Sequence, residues 1–444
     1  MPTTYTELSR RSTRERRPSD IVCQVNTELS NFNEIKLYPA KDQVAWQEAM
    51  NRELKSLKNL EVYKDVKLPP GERAIGCKWV YKIKPSVDGT VSHKARLVAQ
   101  GFVQSDMDYD EVFAPSLRAN TLRAALVCVA KNKYKINHVD VETAYLHAPL
   151  QHTVYMKKPL GLKDDGKTDY WKLKKSLYGL KQSSYEWNKC IVKELVSIGF
   201  EAGIADPCLF RREKDGLISL LLLFTDDIAI ITKAAQEAND IVYRLQKRFR
   251  IRNLGEIEHY LGLDIVKTNI GFKITMEHCK SAKTPMSKEF THSDIKSPMF
   301  DKEIYQSLIG SLSYLGNWSR PDISYSINKL ARYNAEPNER HWQADKQIIR
   351  YLKHTIHYSL YLEPSNELVL TAHADASFAT DIMTHKSTSG IVVMLGNALI
   401  GWKSIGQQHI SLSTMEAEFS CLSLICTKLI YYKKIVKKYW NYFT

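Results

Sequence analysis

No apolar run in this chain of 444 residues approaches the length that spans a bilayer, and its amino terminus shows no signal pattern. A membrane surface is therefore the weaker candidate partner. Cysteine is scarce and unpatterned: the eight, at positions 23, 77, 128, 190, 208, 279, 421 and 426, contain no Cys-x-x-Cys pair and no Cys/His zinc spacing. They read as reduced thiols in a cytosolic or nuclear protein, not a secreted one. Acid is in short supply: 49 acidic residues face 63 basic ones, a formal charge of +14. Such a field favours a polyanionic partner without naming it. Apolar residues at 44% and charged residues at 25% describe an ordinary globular protein, long enough for two or three domains with substantial cores.

The segment Leu220 to Thr232 reads LLLLFTDDIAIIT. Two apolar runs around a short polar break predict two strands joined by a tight turn, buried on both faces. Asp226 and Asp227 fall at the tip, behind the hydroxyl of Thr225. Adjacent ionised carboxylates there repel each other and lose hydration unless a cation sits beside them. Aspartate is also common in solvated turns, although hairpin chemistry favours Asp-Gly over Asp-Asp; taken alone, the segment fits either reading. A third carboxylate tips the balance. Lys135 to Leu146, KINHVDVETAYL, alternates as far as Asp140 and then turns helix-like through Glu142, Thr143 and Ala144. That places Asp140 at the C-terminal edge of a strand, a usual position for a site in mixed folds. Asp140 and Asp226 lie 86 positions apart, so only folding brings them together. A lone carboxylate and a distant pair suit Mg²⁺, which takes few carboxylates and keeps water and phosphate.

These residues carry a resemblance. Asp140-Val141 with Ala144 and Tyr145, and Phe224-Thr225-Asp226-Asp227, resemble the two metal-binding motifs of reverse transcriptases. The surrounding sequence resembles the Pol polyprotein of copia-type LTR retrotransposons. The likeness runs through Cys77 to Phe102, Asp108 to Ser116, Ser176 to Asn188 (SLYGLKQSSYEWN), Phe249 to Ile265, Ser307 to Tyr333 and His385 to Ser404. It covers most of the chain, well beyond a short-motif coincidence.

The resemblance implies an α+β right-hand polymerase fold, with fingers, palm and thumb, followed by a partial ribonuclease H-like α/β domain. It implies RNA-directed DNA synthesis from deoxynucleoside triphosphates, with RNA template, DNA primer and their hybrid as partners. Two Mg²⁺ ions, or Mn²⁺, would be held by Asp140, Asp226 and Asp227. Tyr145 would stack under the sugar and exclude a 2′-hydroxyl. Lys94 and Arg96, two apart on one strand face, would meet the triphosphate, Arg96 bidentately; an exposed charged strand face is the alternative. Tyr178 would stack on a base, Gly179 would permit close backbone approach, and Lys181 and Gln182 would reach nucleotide or template. Ser184 stands where the family carries Pro, and Phe224-Thr225 replaces Tyr-Val; both departures bear on catalytic efficiency. Asp375 and Glu416 match the first two acidic positions of a ribonuclease H domain, and the third is expected to be missing with the strand that would carry it, so that activity is predicted absent.

The expected organisation is a disordered linker over residues 1–40, fingers and the start of the palm over 41–134, and a palm over 135–270. A shortened thumb or connection follows over 271–362, and a truncated ribonuclease H-like domain over 363–444. Within it come an amphipathic helix from Asp42, paired basic strands at Lys78–Lys84 and Lys94–Val98 around an Asp88-Gly89 turn, and a lost helical segment between Ile270 and Pro285. The chain would be one segment of a polyprotein with integrase, protease and capsid, acting in cytoplasmic virus-like particles and in the nucleus. A decayed, non-catalytic nucleic-acid-binding relic is the competing reading.

Overall fold

The computed structural model describes residues 32, 35, 39–85, 91–105, 108–162, 168–268, 271–275, 284–286, 297–382 and 384–440. The Asp88-Gly89 turn, nearly all of the expected linker, most of the span between Ile270 and Pro285, and the last four residues lie outside them. The described chain forms two compact units, both discontinuous. One takes the segments ending at Ala114 together with Thr143–Ile191; the other takes Pro115–Glu142 and the chain from Val192 onward.

In the first unit, helix α1 (Ala40–Asn59) buries Trp46, Ala49, Met50, Glu53 and Leu57, a spacing of three and four that puts them on one face. That face packs against a hairpin of β1 (Cys77–Pro85) and β2 (Val91–Ala99), whose register pairs Val80 with Arg96 and Lys82 with Lys94. Alternation sends Ala95, Leu97 and Ala99 into the core and leaves Lys94 and Arg96 on the other face. Glu53 is the one acid in the apolar stripe. It accepts a hydrogen bond from the Leu97 amide at 3.3 Å, and burial raises its carboxyl pKa against the opposing pull of Arg96 and Lys94. A four-stranded sheet completes the unit, in the order Tyr63–Val66, Tyr170–Lys175, Pro149–Lys157, Ala74–Ile75.

The second unit opens with helix α2 (Ala119–Asn132) and is built on a six-stranded antiparallel sheet. Its order is β6 (Ile251–Glu256), β3 (Lys135–Val141), β5 (Asp227–Thr232), β4 (Leu217–Phe224), Leu209–Lys214, Glu201–Ala202. The runs LISLLLLF and DIAIIT are buried almost throughout, because the sheet is covered. Leu122, Leu126 and Val129 of α2 share a core with Leu220, Leu222, Ala229 and Ile231, and helix Ala235–Gln246 packs on β3, β5 and β6. Three further helices, α3 (Lys302–Trp318), α4 (Ser324–Ala331) and α5 (Glu339–His354), enclose a core of their own around Tyr305, Ile309, Leu330 and Ile348. Asp301 caps α3 by accepting from the Ile304 amide at 3.0 Å, and a capping box of Asn338 and His341 starts α5. The last module is an antiparallel sheet of β7 (Leu370–Ser377), β8 (Thr388–Leu395) and β9 (Ala398–Gly406), with helix α6 (Thr414–Trp440) across it. Tyr432, Ile435 and Val436 of α6 join the same core as α2.

Candidate active site

The two carboxylate segments meet as neighbouring strands. In the register of β3 with β5, Asp140 lies directly opposite Asp227, which sets their Cβ atoms about 5 Å apart. The β4–β5 hairpin pairs Phe224 with Asp227, leaving Thr225 and Asp226 as the turn. The Asp226 carbonyl accepts from the Val141 amide at 2.8 Å, so the turn is fastened to the residue after Asp140. Thr225 has φ of 53°, a left-handed conformation that a β-branched residue enters only under constraint. Ile136, His138 and Asp140 share a sheet face with Asp227, Ala229 and Ile231, apolar at one end and acidic at the other.

Two partners of the acids carried no recognised signal in the sequence. His138 Nε2 lies 3.1 Å from one carboxylate oxygen of Asp227, with the imidazole nearly buried and the carboxylate 30% exposed. The ring in turn meets Tyr260 edge-on at 5.3 Å. Arg252 of β6 sits opposite Asp140 on its other side and donates to Glu142 at 2.9 Å. That hydrogen bond, with the charges of Asp140 and Glu142, raises the Arg252 pKa. A cation thus flanks Asp140 and offsets part of the repulsion between the acids. Both contacts depend on strand register, which single residues at these positions do not announce.

Among the described residues, no three such side chains are grouped closely enough to enclose a metal ion unaided. The donor chemistry nevertheless fits Mg²⁺, because that ion binds through one or two carboxylates and fills its octahedron with water and phosphate. Asp140 and Asp227, facing each other on a part-exposed strand edge, supply such a pair, with Asp226 at the adjoining turn.

The remaining residues singled out by the resemblance, apart from Asp375 and Glu416, belong to the first unit, and several of them touch one another. The Arg96 guanidinium stacks over the Tyr178 ring at 4.6 Å, Tyr178 meets Tyr145 edge-on at 5.1 Å, and the Tyr145 and Ser184 hydroxyls are 3.3 Å apart. Gly179 has φ of 90°, and a Cβ there would lie 2.2 Å from the Ala99 carbonyl oxygen, so only glycine lets this turn close on β2. Lys181 Nζ donates to the Gln104 carbonyl at 3.1 Å and the Tyr109 hydroxyl at 3.0 Å. Gln182 is 2% exposed; its amide donates to the Asp108 carbonyl at 3.0 Å and accepts from Gln104 at 3.1 Å. As placed, Lys181 and Gln182 brace Gln104, Asp108 and Tyr109, and the surface of the cluster is made by Lys94, Arg96, Tyr145 and Tyr178.

In the last module Asp375 is exposed on β7. Glu416 folds back onto the entry to its own helix, accepting from the Leu412 amide at 2.7 Å. The helix carboxylate that reaches β7 is Glu418, which accepts from the Ala376 amide at 3.2 Å. One helical residue in four faces a given neighbour, and a pair of acids two positions apart does not declare which one does.

Comparison with known proteins shows the family. The family described as reverse transcriptase (RNA-dependent DNA polymerase) matches residues 60–295, and the chain belongs to it. It is 32% identical over 437 residues to a retrovirus-related Pol polyprotein from transposon TNT 1-94 of Nicotiana tabacum, covering 93% of this chain and 33% of that protein. Against a putative transposon Ty5-1 protein of Saccharomyces cerevisiae it is 31% identical, covering 60% of this chain and 92% of that one. A solved foamy viral protease-reverse transcriptase in complex with double-stranded DNA is similar at 16% identity, with a TM-score of 0.48 over 87% of this chain and 60% of that one. The chain spans about a third of the length of the Pol polyproteins it matches.

Proposed function

We propose that this chain catalyses RNA-templated DNA synthesis, adding deoxynucleoside triphosphates to the 3′-hydroxyl of a DNA primer. The observation that carries the reading is the direct pairing of Asp140 with Asp227, beside the turn that holds Asp226. Asp140, Asp226 and Asp227 are the residues that would hold two Mg²⁺ or Mn²⁺ ions. When bound, such ions supply activation of the primer hydroxyl and charge neutralisation at the leaving pyrophosphate. The protein's own part is positional. Strand pairing fixes the spacing of the carboxylates, Arg252 steadies Asp140, and His138 holds one oxygen of Asp227 while leaving the other available. In the first unit, Arg96 and Lys94 offer charge to the triphosphate, and the Tyr145 ring, braced by Tyr178 and Ser184, excludes a ribose 2′-hydroxyl by bulk. Hybrid binding is expected through phosphates and sugars and is therefore salt-sensitive.

A second reading, nucleic-acid binding without catalysis, draws on the engagement of Asp227 by His138. Primer extension on an RNA template decides between them. Magnesium-dependent extension that falls to background in Asp226→Asn is the expected result. Hybrid binding with no extension by the unaltered chain would overturn the polymerase reading.

A further inference from the structure

A cavity of about 500 Å³ opens in the second unit where α2, α3, β9 and α6 meet, and Arg118, Phe224, Trp402, Lys403, Lys428 and Tyr432 contribute to its lining. Its basic groups come from three places in the chain: Arg118 just ahead of α2, Lys403 on β9 and Lys428 on α6. Among the described residues, neither lysine forms an ion pair. The Arg118 guanidinium lies over the Tyr431 ring at 4.9 Å. The acid beside Arg118 is Asp206, but it is 1% exposed. Its oxygens are engaged inward by the Arg118 amide at 3.2 Å, the Cys208 amide at 3.0 Å and the Thr121 hydroxyl. Burial, together with the charges of Lys403 and Arg118, holds the Lys428 ammonium below its usual pKa. Like charges collected at a concavity are a cost to the fold unless an anion shares the space. Phe224 connects this cavity to the acids, because Asp226 follows it by two residues and Asp227 is its hairpin partner.

We propose that this cavity seats a phosphate of a nucleic-acid strand, gripped by Lys403, Lys428 and Arg118, next to the aspartate hairpin. The inference rests on the polymerase reading for the identity of the strand. The apolar walls of Trp402, Tyr432 and Phe224 leave room for the sugar beside the phosphate, and an array of separate cations suits a phosphodiester that makes several modest contacts. The seat would contribute affinity without sequence preference.

The test is an anisotropy titration of a labelled RNA–DNA hybrid over rising potassium chloride. It uses the unaltered chain, Lys403→Gln/Lys428→Gln, and Lys433→Gln/Lys434→Gln, whose lysines are exposed on the same helix and do not line the cavity. The cavity variant should lose about one unit of salt slope per lysine and the control less than half as much. Equal slopes in the two variants would overturn the proposal. A nucleoside triphosphate that competes with hybrid on the unaltered chain, but not on the cavity variant, would also overturn it, by assigning the cavity to the nucleotide. Lys428→Gln alone should raise Tm by relieving the crowding of charge. If the double variant fails to fold, exposed Lys403→Gln carries the same comparison with a loss of about one unit. The slope is read without catalysis, so an unaltered chain that binds hybrid and extends nothing defeats the polymerase reading alone.

Discussion

Asp227 illustrates how much a single side chain depends on its neighbour. With His138 Nε2 3.1 Å from one of its oxygens, its carboxylate is held at one edge while remaining part-exposed. Removing such a supporting partner typically costs 10–100-fold in activity or metal affinity. His138→Ala is therefore expected to lower extension by about that factor and to raise the magnesium concentration needed for half-maximal rate, with Tm nearly unchanged. A purely structural role would move Tm and leave the magnesium requirement where it was. Asp345 is a different case. It is fully buried on α5, and neither carboxylate oxygen has a hydrogen-bond partner among the described residues; burial pushes its pKa up to about 7. The folded state then holds a proton that the unfolded chain has released above about pH 4. Stability falls as pH rises from about 4 to 7 and stays low above that, a loss of order 4 kcal/mol at most. Asp345→Asn should flatten this slope, so that melting at pH 5 and pH 8, compared with the unaltered chain, reads the difference directly. At this scale the sequence was partly legible. The three aspartates stood out because paired acids are unusual between apolar strands. His138, Arg252 and Glu418 did not, since each acts through a neighbour that only register or helix phase supplies.

Elements were more readable than their partners. The runs around Thr225-Asp226, the basic pair of strands β1 and β2, and the helix starting near Asp42 each carry their own periodicity, and each forms where that periodicity points. The order of strands in the six-stranded sheet has no such local mark, because it is set by which apolar faces need covering. Arg123 shows what joins elements once they exist. It is 1% exposed on α2. It donates to the carbonyls of Ile400 on β9 at 2.8 Å, and of Asn317 and Trp318 at the end of α3 at 2.8 and 3.0 Å, while lying over the Trp402 ring at 3.9 Å. One guanidinium thereby satisfies three carbonyl acceptors on two other elements, those of Ile400 and Trp318 buried. Arg123→Met would fill the space and strand those carbonyls, costing roughly 3 kcal/mol. A Tm several degrees lower, without loss of the isolated helical signal, is the outcome to look for by calorimetry and circular dichroism.

At the level of the whole molecule, the excess of basic residues was visible from composition, but the way the chain is shared between its two units was not. In the two compact units, the segment from Pro115 to Glu142 belongs to the second, while Thr143–Ile191 returns to the first. A composition shift marks a linker; it does not mark a chain that leaves a unit and comes back. One test follows from the first unit's four-stranded sheet, two of whose strands, Pro149–Lys157 and Tyr170–Lys175, come from the returning segment. Residues 1–142 produced alone should therefore give no cooperative thermal transition, whereas a folded, cooperatively melting product would contradict the partition.

The same interleaving governs the order of events on the ribosome. The hairpin of β1 and β2, complete at Ala99, emerges early but waits for the strands that complete its unit, the last of which ends at Lys175. In that interval the strand bearing Asp140 is already out, with the tip that will face it still unsynthesised. Neither unit can mature before the other has begun, so a pause or frameshift anywhere between positions 115 and 191 leaves both half-made, an outcome that a simple string of beads would escape.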